Sequence, residues 1–212
     1  MPHTQSKEVW YFNELSEKAK DRARDWYREG QLGYEWWDGV YMQVEEAAVY
    51  LGIEIATKPC KLMNGKTRYD PAIYFSGFAS QGDGACFLGT WHANKMKTTI
   101  ELSAEFPTDK ELQRIHTQLW GVKQEFPNAT CTSSHSSSCY SHKRSTSLEA
   151  VLDEDRDYNK DECEPVEECF VDFMRWIYSS LEEEYNWLTA DEQVDESIIA
   201  NEYEFTQEGR LA

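Results

Sequence analysis

The sequence predicts an α+β fold in which helices pack on an antiparallel sheet and an acidic helical region follows at the C-terminus. Three observations lead to this class. Apolar residues recur at helical spacing near both ends of the chain, segments rich in β-branched and aromatic residues occupy the middle, and turn-forming residues separate them. With 212 residues, 40% of them hydrophobic, the chain can bury a core. We therefore expect one domain, with an α+β core at 1–152 and the acidic region 153–212 packed on it.

Helical periodicity predicts two helices near the N-terminus. In residues 13–30, apolar side chains fall on one face, Ser16 can cap the first turn, and Gly30 suits the C-terminal end. Residues 34–52 repeat the helical spacing of apolar residues until a final glycine. The short segment 53–56 then predicts a strand.

The middle of the chain predicts a hairpin. Residues 61–70 form a polar loop, after which 72–78 and 85–92 have the composition of buried strands. We expect these two strands to pair as a hairpin within 73–92, across the turn SQGDG. Residues 98–106 alternate between apolar and polar side chains and predict a further strand.

Capping signals and composition predict the remaining elements. Thr108 and Glu111 have the spacing of a capping box for a third helix. Two polar, serine-rich strands with a solvated face are expected in the segment that follows. Pro165 is expected to open a long helix after a charged connector. Thr189 and Glu192 predict the capping box of a last helix.

The loop FSGFASQGDGACF, residues 75–87, allows two interpretations. Backbone N–H groups of a glycine-rich loop can hold a phosphate, but such loops lead into a helix N-terminus and this one leads into a strand. Asp83 also places negative charge where the phosphate would lie. Asp-Gly between two apolar segments favours a tight hairpin turn. Gln81 and Asp83 then remain as exposed polar groups that could contact a protein partner.

Negative charge is concentrated at one end of the chain. The formal net charge is −18, and residues 149–212 alone hold 21 acidic and 4 basic side chains, a balance of −17. Such a field repels nucleic acid and membrane phosphates, and it favours encounters with basic protein surfaces. We therefore expect neither direct nucleic-acid binding nor membrane binding. A solvated acidic face without a partner remains the alternative.

The sequence contains no sign of export or of membrane insertion. No apolar segment approaches the roughly 20 residues that span a bilayer, and the N-terminus lacks the pattern of a signal peptide. The six cysteines are scattered, which predicts mostly reduced thiols. We expect a soluble cytoplasmic protein.

Four potential zinc ligands lie close together in the sequence: Cys131, His135, Cys139 and His142. Zinc accepts such a Cys₂His₂ set, but the spacing lacks the usual two close pairs with a long gap, and a polar hairpin is the alternative. No nucleophile elbow, H-E-x-x-H motif or Walker-type loop occurs. We expect a protein that is not an enzyme and binds no cofactor. A metal-dependent enzyme that uses this cluster or Asp83 is the least favoured alternative.

Three stretches of the chain, 15–29, 75–87 and 173–210, resemble a family of largely uncharacterised proteins from bacteriophages and related mobile elements. The family carries the motif F-S-G-F-x-S-Q-G-D-G-A-x-F, and some members are labelled antitoxin-like. The resemblance implies a small cytoplasmic protein made during phage infection or plasmid carriage. It supplies no catalytic residues.

This context and the charge together predict a counter-defence protein that binds and inhibits a host nuclease or a nucleic-acid-binding defence complex by acidic mimicry of nucleic acid. The expected contact acids lie on the exposed sides of the last two helices: Glu182, Glu183, Glu184, Asp191, Glu192, Asp195 and Glu196. An antitoxin-like or regulatory module that binds through aromatic anchors is the alternative. The candidate anchors, which could equally be core residues, are Trp36, Trp37, Trp187 and Tyr203.

Overall fold

A computed structural model describes residues 8–30, 32–135, 146–153 and 160–212 of the chain. It combines helices with antiparallel sheets, which confirms the predicted α+β class. The described strands are β1 (Trp10–Tyr11), β2 (Ile53–Ile55), β3 (Thr57–Lys61), β4 (Thr67–Pro71), β5 (Ile73–Ser76), β6 (Gly84–Phe87), β7 (Gly89–His92), β8 (Thr130–His135), β9 (Thr146–Val151) and β10 (Glu204–Phe205). The described helices are α1 (Glu17–Gly30), α2 (Asp38–Leu51), α3 (Thr99–Glu105), α4 (Lys110–Glu125), α5 (Lys160–Thr189) and α6 (Asp191–Ala200).

The chain groups into two compact units. The sheet unit comprises Gly39–Glu182, and the terminal unit joins the described residues up to Asp38 with Glu183–Ala212. The expected organisation as one domain with regions 1–152 and 153–212 stays a prediction. Within the described ranges, no helix is both long and apolar enough to cross a bilayer.

A four-stranded antiparallel sheet, in the order β2-β7-β8-β9, forms the centre of the sheet unit. Helix α5 contributes a large part of the core beside it. The rings of Phe170 and Phe173 each lie 5.4 Å from the ring of Phe87 in β6. The Cys163 thiol donates to the Ala150 carbonyl oxygen of β9 at 3.6 Å. These contacts are those of an antiparallel sheet with an amphipathic helix packed on it.

Strands β8 and β9 confirm the two polar strands expected before residue 153. They pair antiparallel from Thr130 with Val151 to His135 with Thr146. Side chains along β9 alternate between half-buried and exposed positions, as a sheet with one solvated face requires.

Within residues 98–106, Thr99–Glu105 form helix α3, so the strand predicted there is wrong. The Thr98 hydroxyl accepts the Glu101 N–H, and the Glu101 carboxylate accepts the Thr98 N–H at 2.8 Å, which makes a capping box. Leu102 is buried whereas Ile100 is exposed. The alternation in the sequence therefore does not correspond to a buried and a solvated face. The pair Thr98 and Glu101, which has the spacing of a capping box, indicates the helix instead.

Two other predicted helix starts are displaced. Asp109, not Thr108, caps α4, because its Oδ1 accepts the Leu112 N–H at 2.8 Å. Helix α5 begins at Lys160, so Pro165 lies inside the helix instead of opening it.

The predicted cap of the last helix is also wrong. Ala190 occupies the N-cap position of α6 and makes no side-chain cap. The Thr189 hydroxyl instead donates to the Tyr185 carbonyl oxygen one turn back, at 2.8 Å. Thr189 is therefore the last residue of α5 and not the N-cap residue of α6.

The hairpin predicted within 73–92 is confirmed in part. Strands β5 and β6 pair antiparallel, with Ser76 opposite Gly84. The strand expected at 85–92 divides in two, because β7 leaves this hairpin and pairs with β2 and β8. The connecting loop covers residues 77–83 and is longer than the tight turn SQGDG.

A second hairpin replaces the polar loop predicted at 61–70. Strands β3 and β4 pair from Thr57 with Pro71 to Lys61 with Thr67. The Asn64-Gly65 dipeptide at its end is a turn signal that was present in the sequence.

Candidate functional site

A small apolar core holds helices α1 and α6 together in the terminal unit. Ala19 and Ala23 of α1, Val194 and Ile198 of α6, and Phe205 of β10 are buried in one cluster. Alanine on one side and branched aliphatic residues on the other let the two helices approach closely. The opposite face of α6 is thereby directed away from this core.

Two arginines of α1 pair with two aspartates of α6. Arg24 donates from Nε to Asp195 Oδ1 and from Nη2 to Asp195 Oδ2, both at 2.7 Å, in a bidentate arrangement. One turn along α1, Arg28 pairs with Asp191 and donates from Nε to the Thr189 carbonyl oxygen at 2.9 Å. The hydrogen bond to Asp195 raises the pKa of Arg24 further above its ordinary value. We call these two pairs the arginine ladder.

The arginine ladder uses two of the seven predicted contact acids, Asp191 and Asp195, inside the terminal unit. The other predicted acids of this unit, none of which makes an ion pair with a described residue, are Glu183, Glu184, Glu192 and Glu196. Glu192 and Glu196 are exposed and lie one turn apart on α6, with Cβ atoms about 6 Å apart at this spacing. We call Glu192 and Glu196 the outer pair.

Three further exposed acids follow α6, and sequence reasoning did not single them out: Glu202, Glu204 and Glu208. The charge count for residues 149–212 includes them, but helical spacing, which indicated the other acids, does not extend to these three. They extend the acidic surface of the terminal unit beyond α6.

The four candidate aromatic anchors differ in exposure. Trp187 is 55% exposed near the end of α5. Trp36 is half-buried, with its ring 5.7 Å from Trp37 and 5.6 Å from Tyr185. Tyr203 packs edge-on against Trp26 at 5.1 Å beside the apolar core. Trp187 is thus the candidate anchor most available to a partner.

The loop 77–83 of the sheet unit is organised by Asp83. Its Oδ2 accepts the N–H groups of Ala79 and Ser80, at 2.8 and 2.7 Å. Gln81 is exposed. The Asp83 carboxylate therefore satisfies the backbone of its own loop, which is the structural role of an aspartate in a turn. Glu182, the remaining predicted contact acid, is half-buried at the end of the sheet unit.

The proposed zinc ligands lie only partly in the described chain. Cys131 is buried in β8, and burial raises the pKa of its thiol. His135 is the last residue of β8, whereas Cys139 and His142 lie outside the described residues. Across the described part of the chain, no cluster of three or more potential metal ligands occurs. The expected absence of a metal site stays a prediction, and zinc at this cluster stays its alternative. The described cysteines are free thiols: Cys60, Cys86, Cys131, Cys163 and Cys169.

Comparison with known proteins places the chain in a family. No curated protein and no solved structure matches it. The model of a family described as a domain of unknown function, DUF8835, matches residues 36–191. This span contains the whole sheet unit and ends at the first residue of α6, so the outer pair and helix α1 lie beyond it. Because the match covers more than half of its length, the chain belongs to the DUF8835 family.

Proposed function

We propose that this protein is a counter-defence protein of a phage or mobile element, and that it acts in the host cytoplasm by binding and inhibiting a nuclease or a nucleic-acid-binding defence complex. The acidic surface of the terminal unit occupies the basic surface that this partner uses for nucleic acid. Lysine and arginine side chains that neutralise phosphates also accept carboxylates. No chemical step by this chain is required.

One observation carries the proposal: the outer pair, Glu192 and Glu196, is exposed and makes no ion pair with the described residues, while Asp191 and Asp195 of the same helix pair with arginines. The arginine ladder fixes α6 on α1, so the backbone positions that carry the outer pair are set before any partner arrives. Such preorganisation lowers the entropic cost of binding. The described residues of the terminal unit hold 17 acidic and six basic side chains in all, so negative charge dominates this unit.

The test uses host proteins that bind nucleic acid. The immobilised chain is incubated with host proteins that have been retained on heparin, and captured proteins are identified by mass spectrometry. We expect a captured protein whose binding to labelled DNA or RNA is abolished by the wild-type chain. Replacing the outer pair with Glu192→Gln and Glu196→Gln should weaken capture, mainly through a slower association rate, and raised salt should have the same effect.

A matched control is available on helix α5. Glu164 and Glu168 are exposed at the same spacing in the sheet unit, so Glu164→Gln with Glu168→Gln removes equal charge elsewhere. Capture should survive this control change. Equal weakening by both double variants would show that net charge alone matters. Undiminished capture and inhibition by the outer-pair variant would contradict the proposal.

The exposure of Trp187 favours a second candidate function, an antitoxin-like or regulatory module that binds through an aromatic anchor. Exposed aromatic residues supply a large share of the binding energy in many interfaces. In this case Trp187→Ala should abolish capture, whereas the outer-pair variant should bind normally at both low and high salt.

A further inference from the structure

The β3–β4 hairpin presents an apolar end to solvent. Every residue from Lys61 to Tyr69 is exposed, and Met63 is fully so. Two hydrogen bonds close the turn: the Leu62 N–H donates to the Lys66 carbonyl oxygen and the Gly65 N–H donates to the Leu62 carbonyl oxygen, both at 2.9 Å. Met63 is therefore held at the end of the hairpin with its side chain in solvent, and Leu62 beside it is 37% exposed.

The same hairpin is locally basic on a strongly acidic chain. Residues 57–71 contain four cationic side chains and one acidic side chain, whereas the whole chain has a net charge of −18. Lys58 donates to the Ile73 carbonyl oxygen at 2.9 Å, and Arg68 pairs with the single acid, Asp70. Lys61 and Lys66 make no ion pair with the described residues.

The order of these groups along the hairpin is informative. Leu62 and Met63 lie at the turn. Lys61 and Arg68 belong to successive residue pairs of strands β3 and β4, so their side chains lie on opposite faces of the hairpin. Tyr69 lies one residue further from the turn and is exposed. An anionic bilayer accepts the apolar end and the cations in this order, because its acyl boundary accepts apolar side chains and its headgroups attract lysine and arginine, and tyrosine is favoured at the same headgroup level.

We propose that the β3–β4 hairpin docks on an anionic lipid bilayer, with Leu62 and Met63 inserted at the acyl boundary and Lys61, Lys66 and Arg68 among the headgroups. This inference is independent of the proposed function, which concerns the terminal unit. It also revises the expectation from net charge that the chain avoids membranes. A five-residue strand rises about 17 Å, roughly twice the Debye length of about 8 Å at physiological ionic strength, so the end of the hairpin is largely screened from charges at its base.

A nucleic-acid duplex is the competing partner for a basic hairpin. It would account for the lysines through phosphate contacts. It accounts less well for two adjacent apolar side chains at the end of the hairpin, which would have to enter between base steps. The bilayer accounts for the apolar end, the cations on both faces and Tyr69 together.

The test is sedimentation of the full chain with lipid vesicles. We expect binding to phosphatidylcholine vesicles that contain about one third phosphatidylserine, and little binding to phosphatidylcholine alone. Lys61→Gln with Lys66→Gln should lower the partition coefficient roughly 25-fold, since each lysine contributes about fivefold. Met63→Ser should lower it about tenfold.

Matched controls lie on exposed helical positions. Lys18→Gln with Lys110→Gln removes the same charge, and Met42→Ser removes a methionine that is also exposed. Neither control should change vesicle binding by more than about twofold. Equal binding to both vesicle types, or binding that survives the hairpin changes, would overturn the proposal. So would an absence of vesicle binding, with or without binding of a labelled DNA duplex through Lys61 and Lys66.

Discussion

Arg24 and Asp195 are joined by two hydrogen bonds of 2.7 Å, from Nε to Oδ1 and from Nη2 to Oδ2. The Arg24 side chain is 13% exposed and that of Asp195 is 26% exposed. This pair connects residues 171 positions apart and belongs to the terminal unit, where it fixes α6 on α1. Asp195 therefore stabilises the surface that Glu196, its neighbour in sequence, presents to solvent.

Asp195→Ala should lower the free energy of unfolding by about 1–2 kcal/mol, because Arg24 would lose both of these charge-assisted bonds at a largely buried position. Glu196→Gln should change it by less than about 0.5 kcal/mol, as is usual at exposed sites. Urea unfolding followed by circular dichroism measures both values. Equal stability of the two variants would contradict the structural role that distinguishes Asp195 from the outer pair.

Asp83→Ala should loosen the loop 77–83 without unfolding the sheet unit. It removes the acceptor of the Ala79 and Ser80 N–H groups, whereas Asp83→Asn keeps an acceptor oxygen and should cost less than about 1 kcal/mol. Hydrogen exchange at these two amides should accelerate in the alanine variant and change little in the asparagine variant. Exposed Gln81 provides the control, since Gln81→Ala should leave both amides protected.

Stability should fall as pH drops below about 6.5, because burial lowers the pKa of His116 from that ordinary value. Its Nε2 lies 3.0 Å from the Lys97 carbonyl oxygen, and the buried Nδ1 has no hydrogen-bond partner in the described structure. The folded state therefore disfavours protonation of Nδ1, which would give the ring a positive charge, whereas the unfolded chain accepts this proton. The contribution of neutral His116 to the free energy of unfolding is fully present above pH 6.5. It is lost as the pH falls from there towards the lowered pKa of the folded state. Chemical unfolding between about pH 7.5 and pH 5.5 measures this slope, and it should largely disappear in His116→Gln.

Two glycines at positive φ should respond differently to alanine. Gly65 has φ of 81° and no heavy atom within 4 Å of an added Cβ, so Gly65→Ala should cost about 1 kcal/mol from backbone conformation alone. Gly209 has φ of 79°, and its added Cβ would lie 2.0 Å from the Ala19 carbonyl oxygen. Gly209→Ala should therefore cost more than about 3 kcal/mol. Thermal unfolding of the two variants compares them directly, and similar losses would contradict the close approach of Gly209 to α1.

Local patterns predicted which elements exist better than where they begin. Helical spacing and capping residues indicated α1, α2 and α4, and β-branched content indicated β5 and β6. Asp109 and Thr108 are both acceptable caps, and only the position of α4 in the fold selects Asp109. The strand predicted at 98–106 failed because a short alternation of apolar residues does not show which of them become buried.

The sequence by itself determined the fold class, the hairpin at β5 and β6, and the concentration of acidic residues after residue 148, because these depend on composition and on short-range periodicity. Only the tertiary structure decided that Asp191 and Asp195 pair with arginines of α1 while Glu192 and Glu196 make no ion pair with the described residues. All four are acidic residues within two turns of one helix, and nothing local distinguishes them. Their roles differ because contacts with α1, distant in sequence, select which face of α6 is enclosed.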